Sequence, residues 1–282
     1  MAAGQAQPAA KKKVLFILGA TATGKSRLSI DMATRFPAEV INSDKIQIYK
    51  GLDVITNKLT HHDMRGVPHH LLSVISNPNA DYTKTDFCLL ALHAIQSIHS
   101  SNRLPIIVGG SNSHIEALVD HNPYIDFKQE YDSCFVWIDA DEPILFSRVS
   151  ARVDEMVDSG LLSELCDLDF SSIDCDKGIY RSIGVPELRS YFLAEKSDLA
   201  EDESRLQELL RRGIDSMKKN TCDLAAKQAV RIKKFAAAPG RDVVRIDASR
   251  VFDSASAEEA ERIWEESVRR KGEAIVEIFL KD

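Results

Sequence analysis

Cysteine is sparse in this chain and its spacing pairs nothing. Cys88, Cys134, Cys166, Cys175 and Cys222 are odd in number, scattered, and form no CxxC. That pattern argues against a disulfide framework and a zinc ribbon. Long apolar runs are missing too: the longest strongly apolar stretch, Val14 to Ala20, is far short of the ~20 residues that a membrane-spanning helix requires. The first thirteen residues end in Lys11-Lys12-Lys13 and lack the apolar stretch of a secretory signal. Positive charge is in deficit, with 36 Lys and Arg against 43 Asp and Glu and a net charge of −7. A chain of that sign does not attract polyanions globally, so any phosphate or nucleic acid must be met by a local basic patch. There is no internal repeat, and low-complexity material is confined to an Ala/Gln/Pro leader, Ala2 to Ala10. What remains is ordinary globular composition: 282 residues, 44% hydrophobic and 28% charged, with apolar material for a sizeable core. The expectation is a soluble protein of a reducing compartment.

The order of elements is informative. Val14 to Leu18 reads as a buried strand punctuated by Gly19, and Lys25 to Phe36 as a helix, with Leu28, Met32 and Phe36 on one face and Pro37 closing it. Glu39 to Asn42, Leu104 to Val108 and Cys134 to Ile138 read as further strands, with a helix over Lys84 to His99 between them. Strands and helices alternating at this spacing predict an α/β fold, a mainly parallel sheet flanked by helices, and the motif Gly19-x-x-x-x-Gly24-Lys25-Ser26 after its first strand makes the expected class P-loop NTPase-like. From about Glu142 to Ala238 the pattern turns helical, an elaboration after the fourth strand. Val243 to Ile246 is a candidate returning strand, and Ala257 to Val276 a closing helix. The organisation predicted is a disordered leader over 1–13 and a single domain over 14–282.

Two constellations carry chemistry. Gly19-Ala20-Thr21-Ala22-Thr23-Gly24-Lys25-Ser26 satisfies G-x-x-x-x-G-K-[ST] between a strand and a helix. Its glycines let the backbone curl so that successive N–H groups converge on phosphate oxygens. The helix N-terminus and Lys25 add positive charge, and the Ser26 hydroxyl is a ligand suited to Mg2+. An ATP-using phosphoryl-transfer enzyme is the direct inference, with Asp139 at a strand end as either a metal ligand or a helix-start residue. The second constellation, Asn42-Ser43-Asp44-Lys45, ends the second strand, where ligands of parallel sheets sit. Asp44 there could coordinate metal, act as a base, or cap the next turn.

The blocks GATATGKS, INSDKIQIYKGLD, VPHHLL (67–72) and RLPIIVGGSNS (103–113), with RVDEMVDSGLLSEL, IYRSIGVPEL and NTCDLAAKQAVRIKKF after them, resemble the isopentenyltransferase family. That family includes tRNA dimethylallyltransferases and the adenylate isopentenyltransferases of plants, and the NSDK and IGVPE forms look most like the latter. The resemblance implies that the loop Gly19 to Ser26 holds the diphosphate of dimethylallyl diphosphate, with Mg2+ on Ser26. It implies Asp44 as general base toward the adenine N6 amine, Lys25 and Arg152 as diphosphate partners, and release of diphosphate as the first step of cytokinin synthesis. Thr21, Thr23, Ser43 and Ser111 are further candidate oxygen-binding hydroxyls at strand–loop junctions.

The acceptor expected is AMP, ADP or ATP. The tRNA-modifying members insert a long helical segment where this chain has only Asn112 to Ser133, which is short and acidic and makes tRNA an unfavoured partner. From Arg205 to Lys234 the charge balance turns basic, and Lys227 and Arg231, one helical turn apart, are candidate ligands for the acceptor's phosphates. His61, His62, His69 and His70 are adjacent pairs that point in different directions, so packing or capping is favoured over a metal. Plant relatives are often plastidial, so the resemblance implies a plastid, with the cytoplasm as alternative. The leader is short for a transit peptide. No membrane or obligate protein partner is expected.

Overall fold

Five consecutive apolar residues, Val14 to Leu18, need cover on both faces of a strand, and the computed structural model supplies it. The structure describes residues 11–197 and 202–281. In chain order it runs β1 (Lys12–Leu18), α1 (Lys25–Arg35), β2 (Ala38–Asn42), β3 (His69–His70), α2 (Lys84–Ser100) and β4 (Leu104–Val108). Then come α3 (Asn112–Asp120), α4 (Phe127–Glu130), β5 (Tyr131–Asp139), α5 (Glu142–Asp158), α6 (Leu161–Leu165) and a 3-10 turn (Gly178–Arg181). The chain continues through α7 (Val185–Glu195), α8 (Glu203–Ala236), β6 (Val243–Asp247), α9 (Ser249–Phe252) and α10 (Ala257–Trp264). A π-helical turn (Glu265–Arg269) and α11 (Arg270–Lys281) complete it.

All six strands are parallel, in the order β3-β2-β4-β1-β5-β6. Alternation along β1 splits the core: Val14, Phe16 and Leu18 meet α2 through Phe87, Ala91 and Ile95, while Leu15 and Ile17 meet Leu28 and Met32 of α1. Trp264, Val268 and Val276 of the C-terminal segment close this second face. Both faces being covered explains why Val14 to Leu18 of β1 and Leu104 to Val108 of β4 are continuous buried runs. The helices between β5 and β6 have a core of their own, in which Leu161, Phe170, Leu188, Phe192 and Met217 pack with Ile55 from the loop after β2. α8 joins the two parts: Met217 belongs to that cluster, and Ile232 and Phe235 belong to the sheet core.

The structure corrects several boundaries. β1 begins at Lys12, so Lys12 and Lys13 belong to the sheet and not to the leader; residues 1–10 lie outside the described part. The strand expected from Cys134 starts at Tyr131, because it pairs with β1 from Lys12 onward. His69–His70 form a sixth strand, on the edge against Val40 and Ile41, too short for any alternation to reveal. The closing helix continues to Lys281 through the π turn. No helix among the described residues is long and apolar enough to cross a membrane.

Candidate active site

The loops that leave β1, β2 and β4 open together into a cavity of about 560 Å³. The phosphate-type loop makes one wall. Ala22 and Gly24 have left-handed backbones, φ 65° and 91°, which turn the chain into α1. Gly24 is the N-cap residue and no side chain caps the helix, so the first amides of α1 are left for an external acceptor at the positive end of the helix. Gly24, Lys25 and Ser26 border the cavity, as do Thr21 and Ala22.

Asp44 stands opposite. Its Oδ1 accepts from the amides of Ile46 (2.9 Å) and Gln47 (3.5 Å), and its own amide donates to Asn42 Oδ1. These bonds fix the carboxylate in an Asx-type turn at the end of β2. Oδ2 is left facing Gly110, whose missing side chain opens the space: a Cβ there would lie 3.3 Å from Oδ2 and 2.6 Å from Gln228 Nε2. One anchored oxygen and one open oxygen suit a group that must accept a proton from a held substrate.

The cavity is strongly cationic inside an acidic chain. Lys25, Arg27, Lys45, Arg148, Arg152 and Arg181 border it, against the carboxylates of Asp44 and Glu155. Burial pushes Lys25 down to about 8, with Arg152 adding to the fall and Asp44 opposing it. Burial likewise lowers Arg152 to about 10, helped by Arg148 and opposed by Glu155 and Asp44. Two cations crowded together and short of solvent make a site suited to a polyvalent anion. Arg152 Nη1 also donates to Thr21 Oγ1 at 3.2 Å, tying α5 to the loop. Beyond these charges the wall turns apolar through Val149, Val153, Met156, Ile183, Met217 and Leu224.

Gln228 of α8 bridges two sides of the site, and sequence reasoning missed it. Buried in the structure, it accepts from the Thr21 amide through Oε1 at 2.7 Å and donates from Nε2 to Gly110 O at 2.8 Å. Gln228→Leu takes the acceptor from the Thr21 amide, while Gly110 O keeps the Asn112 amide at 3.0 Å, and unfolding free energy measured in urea should fall by about 1–3 kcal/mol. Gln228→Glu keeps the bond from Thr21 but faces Gly110 O with a second acceptor beside Asp44, so it too should be destabilised.

The remaining expected residues lie elsewhere. Gly19 and Ala20 shape the loop from behind, where a Cβ on Gly19 would collide with Thr23 Oγ1 and Ile138. Thr23 is fully buried, and its hydroxyl donates to Ala20 O, so it braces the loop and is not available to a ligand. Ser43 is buried with its hydroxyl against Gly109, outside the cavity. Ser111 Oγ accepts from the Lys45 amide. Lys227 and Arg231 do share a helix face, but it points outward: both are exposed, neither borders the cavity, and Arg231 pairs with Glu116. The neighbouring Gln228 is the one that turns in. Asp139 is engaged by Arg245 at 2.8 Å and lies outside the cavity, so it is neither a metal ligand there nor the cap of α5, whose N-cap is Asp141. His69 borders the cavity with Nδ1 on Val67 O, its pKa lowered by burial, while His70 pairs with Glu39.

For Mg2+, the fit rests on oxygen donors. Ser26 borders the cavity on the first turn of α1, and its hydroxyl is a hard ligand of the kind Mg2+ takes singly while keeping water and substrate phosphates.

Comparison with known proteins gives this geometry a context. The IPP transferase family matches this chain over residues 47–128 and 120–234. Adenylate isopentenyltransferase 5, chloroplastic, of Arabidopsis thaliana is 47% identical over 271 residues, which are 96% of this chain and 81% of that protein. Adenylate isopentenyltransferase 7, mitochondrial, of the same plant is 45% identical, covering 95% of this chain and 80% of the other. Among solved structures, a eukaryotic dimethylallyltransferase acting on tRNA superposes with a TM-score of 0.77 at 23% identity, covering 96% of this chain and 80% of that one. The tRNA isopentenylpyrophosphate transferase of Bacillus halodurans superposes with a TM-score of 0.70 at 25% identity, covering 95% and 99%.

Proposed function

The chain belongs to the IPP transferase family, and from that membership and its cavity we propose that it is an adenylate isopentenyltransferase. The reaction joins C1 of dimethylallyl diphosphate to N6 of AMP, ADP or ATP and releases diphosphate. The observation that carries this reading is the placing of a diphosphate cradle and an open carboxylate oxygen across one cavity with an apolar wall.

An exocyclic adenine amine is a poor nucleophile, because its lone pair is delocalised into the ring. Asp44 Oδ2, hydrogen-bonded to N6–H, keeps electron density on nitrogen as the C–N bond forms and takes the proton. Diphosphate gathers charge as the allylic C–O bond breaks, and the amides of Gly24 to Ser26 with Lys25 and Arg152 meet that charge. Ser26 would hold Mg2+ together with diphosphate oxygens, and the ion, when bound, supplies further neutralisation of the leaving group. The apolar wall from Val149 to Leu224 suits a five-carbon chain and keeps water from an electrophilic carbon. Lys45 and Arg181, on the cationic border, are the better candidates for acceptor phosphates than the outward Lys227 and Arg231.

A free nucleotide is favoured over tRNA as acceptor by the identity to adenylate enzymes and by the segment between β4 and β5, which holds only the short helices α3 and α4. A plastid address follows the chloroplastic relative; the mitochondrial one makes a fluorescent fusion of the full-length protein the deciding observation. The function is tested by giving purified protein labelled dimethylallyl diphosphate with AMP, ADP, ATP or unmodified tRNA and weighing the product. A prenylated nucleotide is expected. Label entering tRNA alone selects the tRNA-modifying reading, and phosphate released from ATP without prenylation selects an ordinary phosphate-loop hydrolase.

A pH dependence follows from Lys25. Its ammonium is present below about 8 and lost above, and only the charged form attracts diphosphate. In kcat/KM for the donor, which reports the free enzyme, activity should fall as pH rises through about 8, while the acceptor's KM does not follow that fall.

A further inference from the structure

We propose that Trp264 is a positioning residue of the phosphate cradle, its indole holding Gly24 in the left-handed conformation that aims the loop amides at the anion. The inference rests on the reading of that loop as the donor's diphosphate site.

Gly24 has φ 91°, and a Cβ built on it would lie 2.7 and 2.8 Å from Cζ3 and Cη2 of Trp264. The ring therefore lies flush on the glycine. Trp264 is itself only 1% exposed, although it borders the cavity. Two groups hold it there, each braced by another residue. Its Nε1–H donates to Asp31 Oδ2 at 2.8 Å, and Asp31, 3% exposed, accepts from Arg65 on its other oxygen at 3.0 Å. The Arg27 guanidinium covers the ring at 4.3 Å from its centroid and pairs with Glu261, one turn before Trp264 on α10. The π turn at Glu265–Arg269 begins at the next residue, and such wide turns shift helix register and recur at functional sites. Beyond it, Gly272 lets α11 settle on α1, where a Cβ would lie 3.1 Å from Leu28 Cδ1.

A glycine ranges widely over backbone conformations, and each alternative at Gly24 would swing the amides of Lys25 and Ser26 away from the anion. A ring clamped against it removes those alternatives before the ligand arrives, so ordering the loop is not charged against binding. This segment lies outside residues 47–234, the reach of the family match, and none of the catalytic roles assigned above uses it.

The test is titration calorimetry of inorganic pyrophosphate, with Mg2+, into the full-length chain and its Trp264→Phe and Trp264→Leu variants. Leucine should weaken binding by about 10- to 100-fold, the scale on which small displacements of positioned groups act. Phenylalanine, which keeps a ring and loses the bond to Asp31, should fall between. In steady state the donor's KM should rise while the acceptor's stays near wild type, a split that general destabilisation would not produce. A second measurement avoids the risk that leucine fails to fold. The chain has two tryptophans, and Trp137 lies on β5 outside the cavity. Trp137→Phe leaves Trp264 as the sole indole, whose emission should change as pyrophosphate binds. Wild-type binding with equal affinity in both variants, or with unaltered single-indole emission, overturns the inference alone. Absence of pyrophosphate binding by the wild type removes the loop reading and the inference with it.

Discussion

Asp44→Asn should lower kcat by about 10²- to 10⁴-fold, the usual contribution of a positioned general base, while donor binding survives. The substitution is nearly isosteric. Asparagine Oδ1 still accepts from the Ile46 and Gln47 amides, so the turn that closes β2 is kept. What changes is the atom facing Gly110, an open carboxylate oxygen replaced by an amide that takes no proton from N6. The lost charge has its own signature. Asp44 supports the ammonium of Lys25 against burial, so in Asp44→Asn the fall in donor affinity with pH should begin lower than in wild type. Removing an anion beside a diphosphate site should, if anything, tighten the donor below that pH. Steady-state kinetics with pyrophosphate calorimetry separates the two effects. A kcat within a few-fold of wild type would remove Asp44 as the base. Asp44→Ala is the less clean probe, since it also unlatches the turn and should raise KM for both substrates.

That carboxylate and the loop were legible because their information is local. Strand, glycine turn and helix lie within about twenty contiguous residues, and side-chain spacing there dictates what the backbone does. Asp44 needed one further step, the rule that strand ends of a parallel sheet converge on the ligand. Arg152 was placed only by the family's pattern of blocks; nothing in the periodicity of α5 says that its guanidinium reaches Thr21. The face of α8 was misjudged for a physical reason. A run of cations every fourth residue marks a helix face but not which way it looks, and burial of Ile232 and Phe235 in the sheet core turned Lys227 and Arg231 outward. Thr23 is a candidate on sequence as a hydroxyl at a strand–loop junction, and only coordinates show that its hydroxyl turns back onto Ala20 O. Gln228 and Trp264 had no local signal at all. Each meets the loop from more than two hundred residues away, as a neutral amide and a ring that composition would assign to any core.

Replacing Lys25 with methionine should move binding and stability in opposite directions. The stem is retained and the charge removed. Diphosphate then loses a partner in a site short of water, where deleting one member of a charged pair costs about 2–5 kcal/mol; donor affinity should weaken between about 30-fold and several thousand-fold. The ligand-free protein should gain. Lys25 carries a proton in the unfolded chain up to 10.5 but in the folded one only to about 8, because burial and Arg152 oppose the charge. Below about 8 the fold therefore bears the full cost of holding that ammonium, and between 8 and 10.5 the cost fades as the folded form releases its proton. Wild type should accordingly become more stable, relative to the methionine variant, as pH rises across that interval, and should be the less stable of the two at neutral pH. Adding pyrophosphate should reverse the order, since the anion rewards the cation in the wild type alone. Melting curves of both proteins at pH 7 and pH 10, with and without pyrophosphate, read all of these signs. A methionine variant that melts lower without ligand, and binds pyrophosphate as before, would mean that Lys25 serves the fold and not the anion. The opposite pattern identifies a site whose charge is kept at the fold's expense because a diphosphate is coming.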